Sequence, residues 1–163
     1  MVIYHPAYDV HHCSYRLLHV LSRVDEGRVS LDSLRLIDFY YVYPHLLKRV
    51  DLPRALKKYS ASISAVAEPF EITPNPRGLF FDLARIQDSA LVALEQKSIL
   101  STSVSSVALR AESIPVSLKE HFELDDFSQS AFFKALVGVF PTLKLDGANG
   151  FKSRSGLMEY RYG

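Results

Sequence analysis

The chain has little of what disulfide, metal or nucleotide chemistry requires. Its 163 residues include a single cysteine, Cys13, which excludes an internal disulfide framework and any cysteine-based zinc cage. The seven glycines form no phosphate-binding loop, no G-x-G-x-x-G and no G-x-S-x-G, and H-E-x-x-H is absent. Nucleotide hydrolysis, dinucleotide redox and the common hydrolase signatures therefore receive no support. An excess of one charge is also missing. Nineteen Lys and Arg face 18 Asp and Glu, so no overall field attracts nucleic acid or an anionic membrane, and any basic partner surface must be local. No apolar run reaches the roughly 18 residues that suggest a membrane helix. The opening MVIYHPAYD lacks the basic start and apolar run of a signal peptide. The expectation is a soluble, cytoplasmic protein.

What is present is core material. At 48% hydrophobic and 23% charged residues the composition is globular, and a chain of this length buries roughly 70% of its unfolded surface. The stretch SLDSLRLIDFYYVYPHLL, Ser30 to Leu47, is read as the central element. Ser30 is a good helix cap and Asp32 suits the positive end of the helix dipole. From Ile37 the polar face disappears, and a helix apolar all round must be enclosed on nearly all sides. Pro44 should end or kink it before a last turn to Arg49.

Before it, Val2–Tyr4 reads as a short strand and Asp9 as the cap of a helix over Val10–Arg23. Val10, Cys13, Leu17, Val20, Leu21 and Val24 follow the 3.6-residue period and mark its buried face. His12, Arg16, His19 and Arg23, spaced by four, three and four, form a basic stripe. Such a stripe is either a solvated face or a surface for phosphates or an acidic protein. After it, Asp51 is read as the cap of a helix running to about Ser60, and the proline-rich 68–78 as an irregular crossing and candidate hinge. Leu79–Leu83 reads as a short strand, Arg85–Lys97 as a helix, and Ser101–Arg110 as a strand or wing. Pro115 opens a helix to Phe122, and Asp125 or Asp126 caps a last one to about Val139. The tail, with Asp-Gly and Asn-Gly turn signals, reads as a hairpin or a partner-binding arm carrying Lys152, Arg154, Tyr160 and Arg161. The whole predicts an α+β, mainly helical fold over 1–163: a winged-helix-like compact domain with a C-terminal turn-rich tail or hairpin.

Catalytic groupings are weak. His5, Asp9, His11, His12 and Cys13 cluster near the start, but Cys13 lies on the apolar face while His12 points elsewhere, so neither a thiolate nucleophile nor a metal site assembles. The paired acids Asp25/Glu26 and Asp125/Asp126 sit at helix junctions, where capping accounts for them. As a DNA reader, Arg85–Lys97 would present Arg85, Gln87, Gln96 and Lys97 beside Asp88 and Glu95, which repel phosphate. Neither an enzymatic activity nor a cofactor is expected.

Three segments taken together, HPAYDVHHCSYRLLHVL, LDSLRLIDFYYVYPHLL and GFKSRSGLMEYRYG, with NPRGLFFDLARIQDSALVALEQKSIL between the last two, resemble the middle components of ABC-three-component systems. These are small bacterial proteins encoded between an ABC or SMC-like ATPase and an effector in antiviral defence operons related to Lamassu. The resemblance spans almost the whole chain and carries no catalytic motif. It implies a non-catalytic, winged-helix-like adaptor that couples the ATPase to an effector, a nuclease or toxin, with DNA reached through the complex and no membrane partner. On that footing His12, Arg16, His19, Arg23, Lys152, Arg154, Tyr160 and Arg161 are the expected partner surface. Charge reversal at Arg16 and Arg154 is then expected to weaken assembly without changing the melting temperature. The alternative is a winged-helix DNA-binding regulator acting alone.

Overall fold

The structure, a computed structural model, describes residues 6–158. The strand expected at Val2–Tyr4 and the residues Tyr160 and Arg161 lie outside them. Seven α-helices and three strands are described: α1 Val10–Arg23, β1 Arg28–Ser30, α2 Leu31–Val42, α3 Ser60–Ser64, α4 Pro76–Gln96, β2 Leu100–Thr102, β3 Ser106–Leu109, α5 Val116–Leu124, α6 Ala131–Gly138 and α7 Phe151–Ser155. Short 3-10 helices fill several joints, among them Pro44–Arg49, Arg54–Tyr59 and Asp126–Gln129.

Local chemistry places the first helices. The Asp9 carboxylate accepts from the backbone N–H of His11 at 2.7 Å and of His12 at 3.1 Å, so α1 starts at Val10. Ser30 Oγ accepts from the Ser33 N–H at 3.1 Å and starts α2. At Pro44 the α-helix gives way to the 3-10 turn ending at Arg49. Leu36 through Tyr40 are all buried, as an all-round apolar helix requires. The centre is shared, however. Arg16 through Leu21 are also buried without interruption, and α1 packs against α2, α4, α6 and β3.

Strands β1, β3 and β2 lie in that order as an antiparallel sheet, with Val29 opposite Val107 and Leu100 opposite Leu109. The wing expected over Ser101–Arg110 is thus a hairpin, and it finds a third strand in Arg28–Ser30. Three residues are too few to show an alternating pattern, which is why β1 is silent in the sequence.

Four expectations are corrected. Leu79–Leu83 is helical, because the Asn75 side chain caps the Arg77 N–H at 3.0 Å and Pro76 occupies the first turn, so α4 begins well before Arg85. Leu79, Phe80 and Leu83 then face the core at helical spacing. Asp51 caps no helix; it receives Arg154. The last long helix is broken, with Asp125 capping the 3-10 turn at Asp126 and Ser130 capping α6. Finally, Phe151–Ser155 is a helix and not the strand of a hairpin. Phe151 is buried against Tyr40 and Phe140, with ring centroids 6.0 and 5.0 Å away. Its N–H donates to the Lys144 carbonyl at 2.8 Å.

That docking depends on Gly150. A Cβ there would run into the backbone carbonyls of Leu145 and Asp146, atoms that cannot move aside cheaply. Gly150→Ala should therefore destabilise the fold by about 1–3 kcal/mol, the usual cost of overpacking. Urea unfolding checks this, and a smaller effect would mean that α7 docks loosely.

Candidate functional site

The basic stripe of α1 turns inward in its middle. Arg16 and His19 are buried, while His12 and Arg23 at the two ends are exposed. Eleven residues of helix put those ends about 16 Å apart, so the four side chains make no continuous basic surface. The stripe expected from the sequence is corrected accordingly: Arg16 and His19 are internal, because the helix carrying them is enclosed by neighbours on both sides.

Arg16 meets Asp38 of α2. Its Nε donates to Asp38 Oδ1 at 2.7 Å and its Nη2 to Oδ2 at 3.2 Å, a two-pronged pair with Asp38 wholly buried. Gln87 of α4 adds an Nε2 donor to the same carboxylate at 2.9 Å. The Gln87 carbonyl in turn accepts from Arg35 Nη1 at 3.2 Å, and Arg35 also pairs with Asp88 at the surface. Gln87 is therefore a buried connector, not an exposed reader. Burial alone would lower the Arg16 pKa, but Asp38 beside it reverses the sign, so the net shift is upward and the guanidinium stays charged.

Cys13 Sγ lies 4.0 Å from Asp38 Oδ2. Burial, with the Asp38 charge second, pushes its thiol up to about 12. That is the opposite of an activated nucleophile.

His19 faces the other way. Its ring is stacked between Phe122 and Phe133, with centroids 4.7 and 4.6 Å away, and Nδ1 lies 3.0 Å from the Tyr41 hydroxyl. Nε2 is buried without a partner. Burial holds the His19 pKa down to about 4; Asp125, 4.0 Å off, opposes this and Arg23 adds to it. Tyr15 of α1 reaches the same Asp125 through its hydroxyl at 3.2 Å.

At the C-terminal end, Lys152 and Arg154 are ties to the body. Lys152 Nζ pairs with Asp32 at 2.7 Å and Asp146 at 2.9 Å, and Arg154 Nη1 donates to both the carbonyl and the carboxylate of Asp51 at 3.0 Å. The structure does not bring these two together with His12 or Arg23 into one contact. Among the described residues no group of three or more His, Cys, Asp or Glu is placed to hold a metal ion, and no helix is long and apolar enough to cross a membrane.

Sequence reasoning passed over Asp38 and took Gln87 for an exposed residue, whereas it is buried. The signal was there in Asp38: one carboxylate in the apolar run LIDFYYVY has to find a buried cation.

Residues 2–163 match the family described as ABC-three component (ABC-3C) system Middle Component 5. The chain belongs to that family. Membership gives it a role in a multi-component defence system, and so partner proteins. No curated protein and no solved structure matches the chain. This middle component keeps Cys13, Arg16 and His19 inside the fold, while His12 and Arg23 face outward.

Two outcomes follow from the interior. Asp38→Ala, which leaves Arg16 charged and unpaired in the core, should cost about 3–5 kcal/mol. Asp38→Leu with Arg16→Met should cost less, about 1–3 kcal/mol, because the Gln87 amide then loses one partner and keeps its bonds to Arg35. Denaturant unfolding of the single and double variants measures the difference. For the same reason Arg16 charge reversal, which sets two carboxylates side by side in the core, should lower the melting temperature, contrary to the expectation from sequence.

The second outcome concerns pH. His19 has a lowered folded pKa, so the unfolded chain binds the extra proton between about 6.5 and 4, and stability falls as pH falls through that window. The loss attributable to this residue is about 3 kcal/mol. His19→Phe should flatten that part of the stability profile measured by urea unfolding at each pH; an unchanged slope would assign it to other groups.

Proposed function

We propose that this middle component is a non-catalytic adaptor that couples an ABC/SMC-like ATPase to an effector, a nuclease or toxin, in a cytoplasmic antiphage system related to Lamassu. The observation that carries the reading is the family match over residues 2–163. The chemistry supports it: the one thiol is buried with its pKa raised, and the two basic side chains at the middle of the α1 stripe are joints of the core.

We further read the scaffold as winged-helix-like. The order α1, β1, α2, then α4, β2, β3, with strand order β1-β3-β2, supports this, residues 43–75 being an insertion between the second and third helices of such a domain. In this reading α4 takes the place of a recognition helix. Its exposed residues include Asp82, Asp88 and Glu95 as well as Arg85, and the hairpin tip Ser103–Ser105 carries no basic side chain. Duplex DNA asks for Lys and Arg at both places, so the same surfaces favour protein partners. Partner contacts at His12 and Arg23, which are exposed, fit this proposal; contacts at Arg16 and His19 would require them to leave the core.

Co-expression of the tagged full-length chain with the genes beside it should recover an ATPase and a second protein in fixed ratio by mass. If the chain elutes alone and binds duplex DNA with an affinity that falls steeply as salt rises, the adaptor reading fails and a stand-alone winged-helix regulator replaces it.

A further inference from the structure

Residues 66–75, between α3 and α4, carry apolar surface that the fold does not use. Phe70 and Ile72 have relative exposures of 110% and 96%, although side chains of both kinds gain by leaving water. Among the described residues no backbone-to-backbone hydrogen bond involves 67–74, so the peptide groups of this segment are also unspent. The segment is nonetheless fixed at both ends. Lys48 Nζ donates to the Val66 carbonyl at 2.6 Å and pairs with Glu68 at 2.9 Å. At the far end His45 Nε2 lies 2.8 Å from Thr73 Oγ1. Pro69 and Pro74 stiffen the backbone between the clamps.

The result is a strap held off the body. Beneath it lies a cavity of about 640 Å³, lined on the body side by Tyr8, Val42, Tyr43 and Leu79. Phe70, fully exposed, does not fill it. A segment fixed in one shape before contact loses little freedom on binding, which is the condition under which two exposed apolar side chains make effective anchors. Its charge is one-sided as well: residues 67–75, AEPFEITPN, hold two acids and no base. Glu68 is engaged by Lys48, whereas Glu71 has no ion pair within the chain among the described residues.

We propose that this strap is a docking element inserted into a partner subunit, with Phe70 and Ile72 entering an apolar cleft and Glu71 meeting a Lys- or Arg-bearing rim. The proposal rests on the adaptor reading above. A second copy of this chain is a poorer occupant. Its cleft beside Arg23 and Lys119 also carries Glu26 and Glu123, which repel Glu71.

The test uses the full-length chain co-expressed with its neighbouring genes, as wild type, Phe70→Ser/Ile72→Ser and Glu71→Lys. Tagged pull-down measures partner recovery, and size-exclusion with light scattering measures self-association. The double variant should recover partner about tenfold less well or worse, and Glu71→Lys should weaken it by a smaller factor, with no change in melting temperature. If wild type assembles and the double variant assembles equally, the strap is not the docking element while the adaptor reading stands. If wild type recovers no partner, both fall. A wild-type oligomer that becomes monomeric in the double variant would make a second copy the occupant, and a lowered melting temperature would return Phe70 to its own cavity; either overturns the proposal.

Discussion

The buried pair Arg16–Asp38 fixes how the three central helices meet. Apolar helix faces tolerate small shifts against one another, because one methyl group is nearly as good a neighbour as the next. A carboxylate in the same core does not. Asp38 is compatible with burial only where the Arg16 fork and the Gln87 amide both reach it, at 2.7, 3.2 and 2.9 Å. Since Arg16 belongs to α1, Asp38 to α2 and Gln87 to α4, satisfying one carboxylate sets the register of all three helices. Arg35 continues the chain of contacts from the buried amide to Asp88 at the surface, so the network ends in water and not in an unpaired charge.

One turn further along α1, His19 makes the corresponding joint to the C-terminal half. Its flat ring fits between Phe122 and Phe133, with Tyr41 closing the edge. A neutral imidazole suits this slot because it offers a ring for stacking and a nitrogen for the Tyr41 hydroxyl at 3.0 Å. Arg16 and His19, three residues apart, thus point to different neighbours from one helix: one toward α2 and α4, the other toward α5 and α6. A helix that serves both halves has no free face at its middle, and this is the physical reason that a basic stripe in the sequence became an internal seam.

Much of the fold could be read from residues alone wherever a local rule decided the outcome. Asp9, Ser30 and Pro44 set the limits of α1 and α2 by hydrogen bonding and ring geometry within a few residues, and those limits appear as expected. The β character of 101–110 was legible from its β-branched residues, but not its division into two paired strands beginning at Leu100. What escaped were outcomes decided at long range. Helical spacing placed Arg16 and His19 correctly on one line, but nothing local says whether a line of basic residues meets water or a carboxylate 22 residues away. Gln87 reads as an exposed polar residue until Asp38 is brought beside it. At Phe151 the Asn-Gly signal suggested a turn between strands, whereas the burial of one aromatic ring against Tyr40 and Phe140 settled on a helix.

The near-neutral composition takes on a different meaning once the pairs are placed. Positive charges are spent at the joints between the body and its irregular parts: Lys48 to Glu68 at one end of the 66–75 segment, Lys152 to Asp32 and Asp146, and Arg154 to Asp51 under α7. Pairs of this kind, partly open to solvent, are individually worth about 0–1 kcal/mol and weaken with salt. The interior pair is different in kind, because losing it strands a charge in the core. The molecule is thus built on two scales of electrostatics. Strong, desolvated contacts hold α1, α2 and α4 in one arrangement, and weak, wet contacts hold the segments that run over the outside. A subunit that must meet other proteins with parts of its surface, while keeping its core unchanged, needs that separation.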